Sequence, residues 1–433
     1  MRHIAVVVLV VGCTAGSPLS REREPHRHQV GTDSAAVIAY VGARIIDGSG
    51  AAAVEKGVLI VEGGRIRAVG DARTAVPPGA SVVNLAGKTI TPGLINAHGH
   101  ITDVRGFKSS PEFYTPDHIA QQLRLYARYG VTTVFSLGGE NATAVAVRDQ
   151  PPAGTARLFL AGPVIAAATP DAARAAVDGV KALRADLVKI RVDDNLGATR
   201  KMPPEVYRAV IDQAHANGMR VAAHIFYLQD AKDVLAAGGD FIAHSVRDTD
   251  VDAEFIERLK VRSVCVCPTL MREVSTFVYE TRPAFLDDPF FRRDADPAAI
   301  DGVQTPQHQA SNRTPAAARY KLALEQAKRN LKALKAAGVR IAMGTDTGPA
   351  ARFQGYFEHL ELEHMVSAGL TPMQVLVAAT SEAAACMQVG DRLGLLKAGY
   401  DADFNVFASN PLDDIRHTRT LESVFVRGRA VTR

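Results

Sequence analysis

From residue 93 to about residue 385 the chain alternates between two textures, and this alternation constrains the fold more than any other feature. Short runs rich in β-branched residues lie at 94–98, 131–137, 157–161, 187–192, 220–224, 241–244, 263–268 and 340–345. Between them lie Ala-rich stretches with helical spacing at 117–129, 171–184, 204–217, 230–237, 252–260 and 316–337. Gly130, Gly218, Gly238 and Gly338 follow four of these, where helices commonly end on a left-handed residue. Buried parallel strands read as continuous apolar runs, and each needs a crossover helix to reach the next. Eight such runs over almost 300 residues predict an α/β fold of the (β/α)8 (TIM) barrel class. An open doubly wound sheet is the structural competitor, but no Gly-x-Gly-x-x-Gly follows a strand.

The flanks differ. Residues 36–92 read as short strands and tight turns. A hairpin is expected at 58–61 and 66–69 around Glu62-Gly63-Gly64-Arg65, and a second strand pair at 82–85 and 89–90. Short strands return at 404–407 and 424–426, with a turn at Gly428. The simplest closure joins both chain ends into one small β-sandwich, so that 36–92 and 393–433 form one domain and 93–392 the barrel. Residues 272–314, rich in Phe, Asp, Pro and Arg, form a long insertion after the seventh strand. At the barrel mouth it predicts a lid, or alternatively a contact between copies in a homo-oligomer.

A net charge of +4, with no basic run interleaved with aromatics, argues against a nucleic-acid partner. No internal apolar stretch is long enough to span a bilayer. The N-terminus is distinctive. Arg2 and His3 precede an apolar run, and Val10-Val11-Gly12-Cys13 resembles a lipobox. This predicts a signal peptide over 1–13, acylation of Cys13 and export as a periplasmic or cell-envelope lipoprotein of a bacterium, tied to the membrane only by that anchor. An ordinary secretory signal is the alternative. Residues 14–35 then read as a polar tether. Cys265, Cys267 and Cys386 show no zinc or redox spacing, and Cys265 and Cys267, alternating with Val264 and Val266, read as small core-facing side chains.

Chemistry concentrates at strand ends. His98 and His100 close the first strand in Asn96-Ala97-His98-Gly99-His100. Side chains two apart in a strand share a face, so both imidazoles can address one point. Alone, the pair reads equally well as two hydrogen-bonded histidines. In a barrel, however, active sites gather where strands end. Those ends also carry Lys189, His224, His244 and Asp346. A lysine ammonium cannot bind a metal. Flanked by Val188 and Ile190 inside a barrel, its neutral form is favoured by desolvation, and a neutral amine can add carbon dioxide to become a carbamate. A salt-bridged lysine is the alternative. Arg247 is a candidate fork for a substrate carboxylate, and Tyr227 a candidate donor to a developing oxyanion. Arg272 and Tyr279, in the insertion, are lesser candidates. His359 and His364 lie five apart, not the four of a zinc helix, and read as surface or supporting residues.

Taken together, Pro92-Gly93-Leu94-Ile95-Asn96-Ala97-His98-Gly99-His100, Lys189, His224, His244 and Gly344-Thr345-Asp346 resemble the metal-dependent amidohydrolase superfamily. The closing segment Gly399-Tyr400-Asp401-Ala402-Asp403-Phe404 with Asn410-Pro411-Leu412 is similar too. The likeness is strongest to the imidazolonepropionase-like and prolidase-like branch, and Lys189 tilts it to the binuclear members. It implies two divalent metal ions, zinc before manganese or cobalt. His98, His100 and Asp346 would hold the more buried ion, His224 and His244 the second, and a CO2-derived carbamate on Lys189 would bridge them. Metal-activated hydroxide would attack an amide C–N bond, with Asp346 moving the proton. The implied substrate is a small-molecule amide such as a dipeptide or an N-acyl amino acid. Two departures concern the substrate side: Arg191-Val192-Asp193-Asp194-Asn195 replaces a Ser-Gly-Gly segment, and His224-Ile225-Phe226-Tyr227 replaces a His-Ala-His-Gly segment. A cyclic amide (lactam or imidazolone) hydrolase or a heterocycle deaminase on the same scaffold is one alternative. A non-catalytic binding protein on an inherited barrel is another, and the six filled positions argue against it.

Overall fold

The computed structural model describes residues 36–432; the signal, the lipobox cysteine and the tether expected over 1–35 lie outside the described residues. Seven of the expected core strands form. Leu94–Gly99, Val131–Ser136 and Arg157–Leu160 make one sheet, with Val131–Ser136 in its middle. Val188–Arg191, Val221–His224, Phe241–Ala243 and Cys265–Cys267 make a second, in chain order. Every pairing in both is parallel, as crossover helices require.

The eighth expected strand, 340–345, is not a ladder. It contributes the isolated parallel bridge Val266↔Ile341, and Gly99↔Thr347 follows just beyond it. Backbone bonds run from Ala342 N to Val266 O (3.0 Å) and from Ala97 N to Met343 O (2.8 Å). The segment passes close to its neighbours, which glycine permits. A Cβ on Gly344 would lie 2.5 Å from Cys267 Sγ and 2.8 Å from the His98 nitrogen. A third parallel bridge, Ile165↔Ile190, joins the loop after Arg157–Leu160 to the second sheet.

The helices start and stop where the sequence signals them. Thr115 caps Pro116–Arg128 by accepting from His118 N, and Thr169 and Thr314 cap Pro170–Ala182 and Pro315–Ala336 in the same way. Each has proline in its first turn, where a missing N–H leaves nothing unbonded. Pro116–Arg128 buries Ile119, Leu123 and Tyr126, one stripe at i, i+4, i+7. Gly130 and Gly338 close their helices at φ 83° and 79°. No described helix is long and apolar enough to cross a membrane.

Both chain ends do build one sheet. Its path runs Arg429–Ala430, Leu421–Val426, Phe404–Phe407, Thr89–Pro92, Val37–Ile45, Val54–Glu62, Arg65–Gly70. The expected hairpin is present, with Val61 opposite Ile66 and Glu62 opposite Arg65. The expected second pair is not. Ser81–Asn84 and Thr89–Pro92 lie end to end along Val37–Ile45, each parallel to it, and do not pair with each other. The connection turns at Asn84–Lys88, where Leu85 N donates to Val41 O (2.8 Å) and so keeps the chain on the same neighbour. Tyr40, Phe404 and Phe425 pack as an aromatic cluster on this sheet, the two Phe rings stacked at 4.2 Å.

Cys265 and Cys267 lie in the core as expected, and the structure adds one bond. Cys265 is joined to Cys386 in a disulfide, whereas Cys267 is free and buried. The two partners lie 121 residues apart, and neither spacing nor periodicity marks such a pair. The insertion is built of short helices and turns. Its Tyr279 donates to Ala351 O (2.6 Å), which ties it to the loop after Asp346.

A candidate metal centre at the strand ends

His98 ends the first core strand fully buried, with its backbone N–H donated to Asn96 Oδ1 (2.9 Å). Its Nε2 lies 3.5 Å from Asp346 Oδ1, and His100 Nε2 lies 2.8 Å from the same oxygen. One donor atom from each of His98, His100 and Asp346 falls within 4.8 Å of the others. His100 Nδ1 faces the Gly138 carbonyl at 3.2 Å. A carbonyl only accepts, so Nδ1 carries the hydrogen and, in the neutral ring, Nε2 offers a lone pair. With that tautomer, His100 Nε2 and the Asp346 carboxylate oxygen face each other at a distance where a cation or a proton joins them. His98 Nδ1 is buried without a hydrogen-bond partner. Burial, and then the nearby Lys189, holds His98 well below the usual imidazole range and therefore neutral. Burial alone would raise the Asp346 carboxyl; the Arg352 guanidinium and the bond from His100 outweigh it and hold it well below the usual range.

Lys189 stands beside this group, its Nζ 3.3 Å from His98 Nε2. Burial pushes its amine down to about 8. His244 and His224 complete the ring of residues. The His244 ring lies 4.6 Å from that of His98 and 4.0 Å from that of His224. Burial keeps His244 neutral and lowers His224 to about 3. His244 Nδ1 meets Thr269 Oγ1 at 2.6 Å, and that hydroxyl donates onward to Pro268 O (2.8 Å). Its one hydrogen is thereby used, so His244 Nδ1 donates and Nε2 keeps its lone pair. His244, Thr269 and Asp346 all occupy left-handed backbone, at φ 72°, 48° and 61°. For non-glycine residues, and a β-branched one above all, this is strained, and such strain clusters at functional sites.

The structure therefore brings all six strand-end residues together. It does not do so for the two expected substrate contacts. Arg247 is fully buried, and its Nη2 has no hydrogen-bond partner. It pairs with Glu273 Oε1 (2.9 Å), donates to the carbonyls of Ile225 and Ser245, and stacks on Phe226. Tyr227 donates to Asp194 Oδ1 (2.9 Å) beneath Lys201. Neither lines the cavity of about 280 Å³ that opens on His98, His100, Lys189, His224 and Asp346. The cations that do line it are Arg191, Arg272 and Arg352. Arg352 holds Asp346 Oδ2 at 2.5 Å. His359 is not a surface residue. It is buried, with its ring between Thr418 Oγ1 and Tyr129 O.

Supporting residues escaped the sequence reading. Asp193 Oδ2 receives His224 Nε2 at 3.0 Å. Glu358 Oε1 accepts from Asn96 (2.6 Å), Thr345 (2.8 Å) and Thr347 (2.7 Å), and so ties the strand of His98 to the segment of Asp346. Glu358 sits 262 residues from Asn96, and no local pattern announces it.

With this geometry in view, the relatives are informative. A stretch of 100 residues is 40% identical to ochratoxinase of Aspergillus niger; it covers 22% of this chain and 18% of that protein, so the match spans less than a fifth of that relative's length. A Bifidobacterium longum structure, provisionally assigned as a prolidase, matches with TM-score 0.75 at 26% identity over 92% of this chain and 95% of its own. A Xaa-Pro dipeptidase with methionine bound in its active site matches with TM-score 0.74 at 20% identity, over 91% of this chain and 99% of its own. The sequence profile of the amidohydrolase family spans residues 89–431 and takes in His98, His100, Lys189, His224, His244 and Asp346, and the chain belongs to that family.

Proposed function

We propose that the protein is a metal-dependent hydrolase of amide C–N bonds in small substrates that carry a carboxylate, dipeptides or N-acyl amino acids. The single observation that carries this reading is the convergence of His98, His100 and Asp346 donor atoms within 4.8 Å, beside a cavity with three guanidinium groups at its wall. A divalent ion fits this donor set of neutral imidazoles and an ionised carboxylate. His98, His100 and Asp346 would hold one ion and His224 and His244 the other, with Lys189, as its carbamate, between them. When bound, such ions supply Lewis acidity toward a carbonyl and toward water.

The remaining work belongs to the chain. Thr269 and Gly138 fix the tautomers of His244 and His100 and so orient their lone pairs. Asp346 takes a proton from the attacking water at its carboxylate and returns it to the leaving nitrogen. Arg191 and Arg352, whose ion pairs with Asp193 and Asp346 leave guanidinium N–H groups at the cavity wall, receive the substrate carboxylate, a part that Arg247 cannot take because it does not line the cavity. The fold reading is consistent with this. The three isolated parallel bridges and the Ala97–Met343 bond support closure of the parallel strands as a (β/α)8 barrel over 93–392. The sheet shared by the chain ends supports a composite β-sandwich of 36–92 and 393–433.

Metal analysis followed by a hydrolysis screen tests the proposal. We expect about two divalent ions per chain, zinc first, and cleavage of Xaa-Pro dipeptides or N-acyl amino acids to two products. A metal-free protein inert toward every amide, or release of ammonia from a heterocycle instead, overturns it.

Export, with Cys13 as a lipid anchor, is part of the same reading. The Cys265–Cys386 disulfide supports it, since such bonds persist mainly in oxidising compartments. The chain has four cysteines. Denatured without reductant, the native protein should titrate one thiol, Cys267, with Cys13 blocked by its acyl group. Four free thiols would place the protein in a reducing compartment.

A further inference from the structure

The metal cavity adjoins a second one of about 600 Å³, and Val164 lines both. The two differ sharply in character. Along one face of Pro170–Ala182 the second cavity is bordered by Ala172, Ala176 and Gly179, at i, i+4 and i+7, where no side chain is longer than a methyl. Leu183 and Val164 add apolar wall, and its only polar residues are Glu140 and Asn141. The Glu140 carboxylate is already occupied by Ser136 and the Gly138 N–H. Val164 is 40% exposed, one of few large apolar side chains so exposed among the described residues. It packs on Gly138, in the space a Cβ would need, and Gly138 O is the acceptor that orients His100.

The metal cavity is the opposite. Lys189, Arg191, Arg272 and Arg352 line it, and its one lining carboxylate, Asp346, is engaged by His100 and Arg352. A carboxylate entering there finds the guanidinium N–H groups that Arg191 leaves beyond Asp193 and Arg352 beyond Asp346. The free ammonium of a dipeptide finds three guanidinium groups and no free lining carboxylate, and burying an unpaired charge is costly. A substrate matching both cavities is anionic at one end, apolar at the other, and amide between.

Resting on the amide-hydrolase reading, we infer that the substrates are N-acyl amino acids with extended apolar acyl chains rather than free dipeptides. The carboxylate lies toward the arginines, the amide at the ligand cluster, and the acyl chain passes Val164 into the apolar cavity. Water adds across the C–N bond. The acyl carbon gains the oxygen, Asp346 hands the proton to the nitrogen, and a free carboxylic acid and a free amino acid result.

The test is a chain-length series, acetyl to octanoyl, on the amino acid that the hydrolysis screen ranks first, with the metal-loaded full chain. Burial of each methylene should raise kcat/KM about two- to fourfold until the cavity fills, on the order of 100-fold from acetyl to octanoyl. A free dipeptide should be at least about tenfold poorer than its N-acetyl counterpart. Ala176→Phe, which fills the apolar cavity, should cut the octanoyl-to-acetyl ratio to below about tenfold. If that variant does not fold, the wild-type series decides alone. Equal rates along the series, or dipeptides preferred over N-acyl amino acids, overturn this inference and leave amide hydrolysis standing. No hydrolysis of any amide overturns the proposed function itself.

Discussion

Lys189→Ala should reduce activity by about three orders of magnitude or more, roughly 4 kcal/mol of transition-state stabilisation, while the protein still folds. Lys189 is fully buried at the site, with its Nζ 3.3 Å from His98 Nε2. An ammonium at that point repels any cation held by His98. A neutral amine, favoured there by burial, can instead take up carbon dioxide and present two anionic oxygens. Truncation removes that ligand and leaves a small void beside a cavity already open to solvent, so a large stability cost is not expected. Short carboxylic acids should enter the void and restore part of the activity, and metal content should fall with the variant and recover with the acid. Full activity in Lys189→Ala would sink the carbamate reading and leave Lys189 as a neighbouring charge only.

Arg247→Ala should act on stability. The guanidinium is fully buried against Glu273 (2.9 Å), which also meets Arg272 at 3.1 Å. Removing Arg247 strands part of a buried carboxylate charge and empties two carbonyl acceptors, those of Ile225 and Ser245. Breaking such a pair costs about 3 kcal/mol or more, with Arg272 left as the only compensation. Denaturant unfolding should register this as a lower midpoint, and Arg247→Met with Glu273→Met should recover much of it. KM of the folded fraction should stay close to that of the parent. An unchanged midpoint with a raised KM would return Arg247 to the substrate.

How far the sequence could be read follows from how far apart the interacting residues lie. Seven of the core strands and the terminating glycines Gly130 and Gly338 were legible because each is set by residues within one or two turns. The eighth strand was misread as a regular ladder. Its apolar run is local, but its pairing is with the distant Val266 and Ala97, through an isolated bridge and single backbone bonds, which no local pattern records. The second strand pair failed for the same reason. Ser81–Asn84 and Thr89–Pro92 look like partners in sequence, and the distant strand Val37–Ile45 claims both.

The site divides along the same line. Two-residue periodicity put His98 and His100 on one face, and strand ends gathered Lys189, His224, His244 and Asp346 at one rim, because a parallel fold places all such ends together. Which charges and hydroxyls those residues meet was decided only in three dimensions. Asp193 on His224, Thr269 on His244, Arg352 on Asp346 and Glu358 beneath the first strand are contacts set by packing. So is the burial of Arg247 against Glu273, which withdrew it from the substrate side. The sequence by itself determined which side chains are capable of holding a metal. The tertiary structure decided their tautomers, their charge states and the walls around them, since these depend on dielectric and on partners up to 262 residues away.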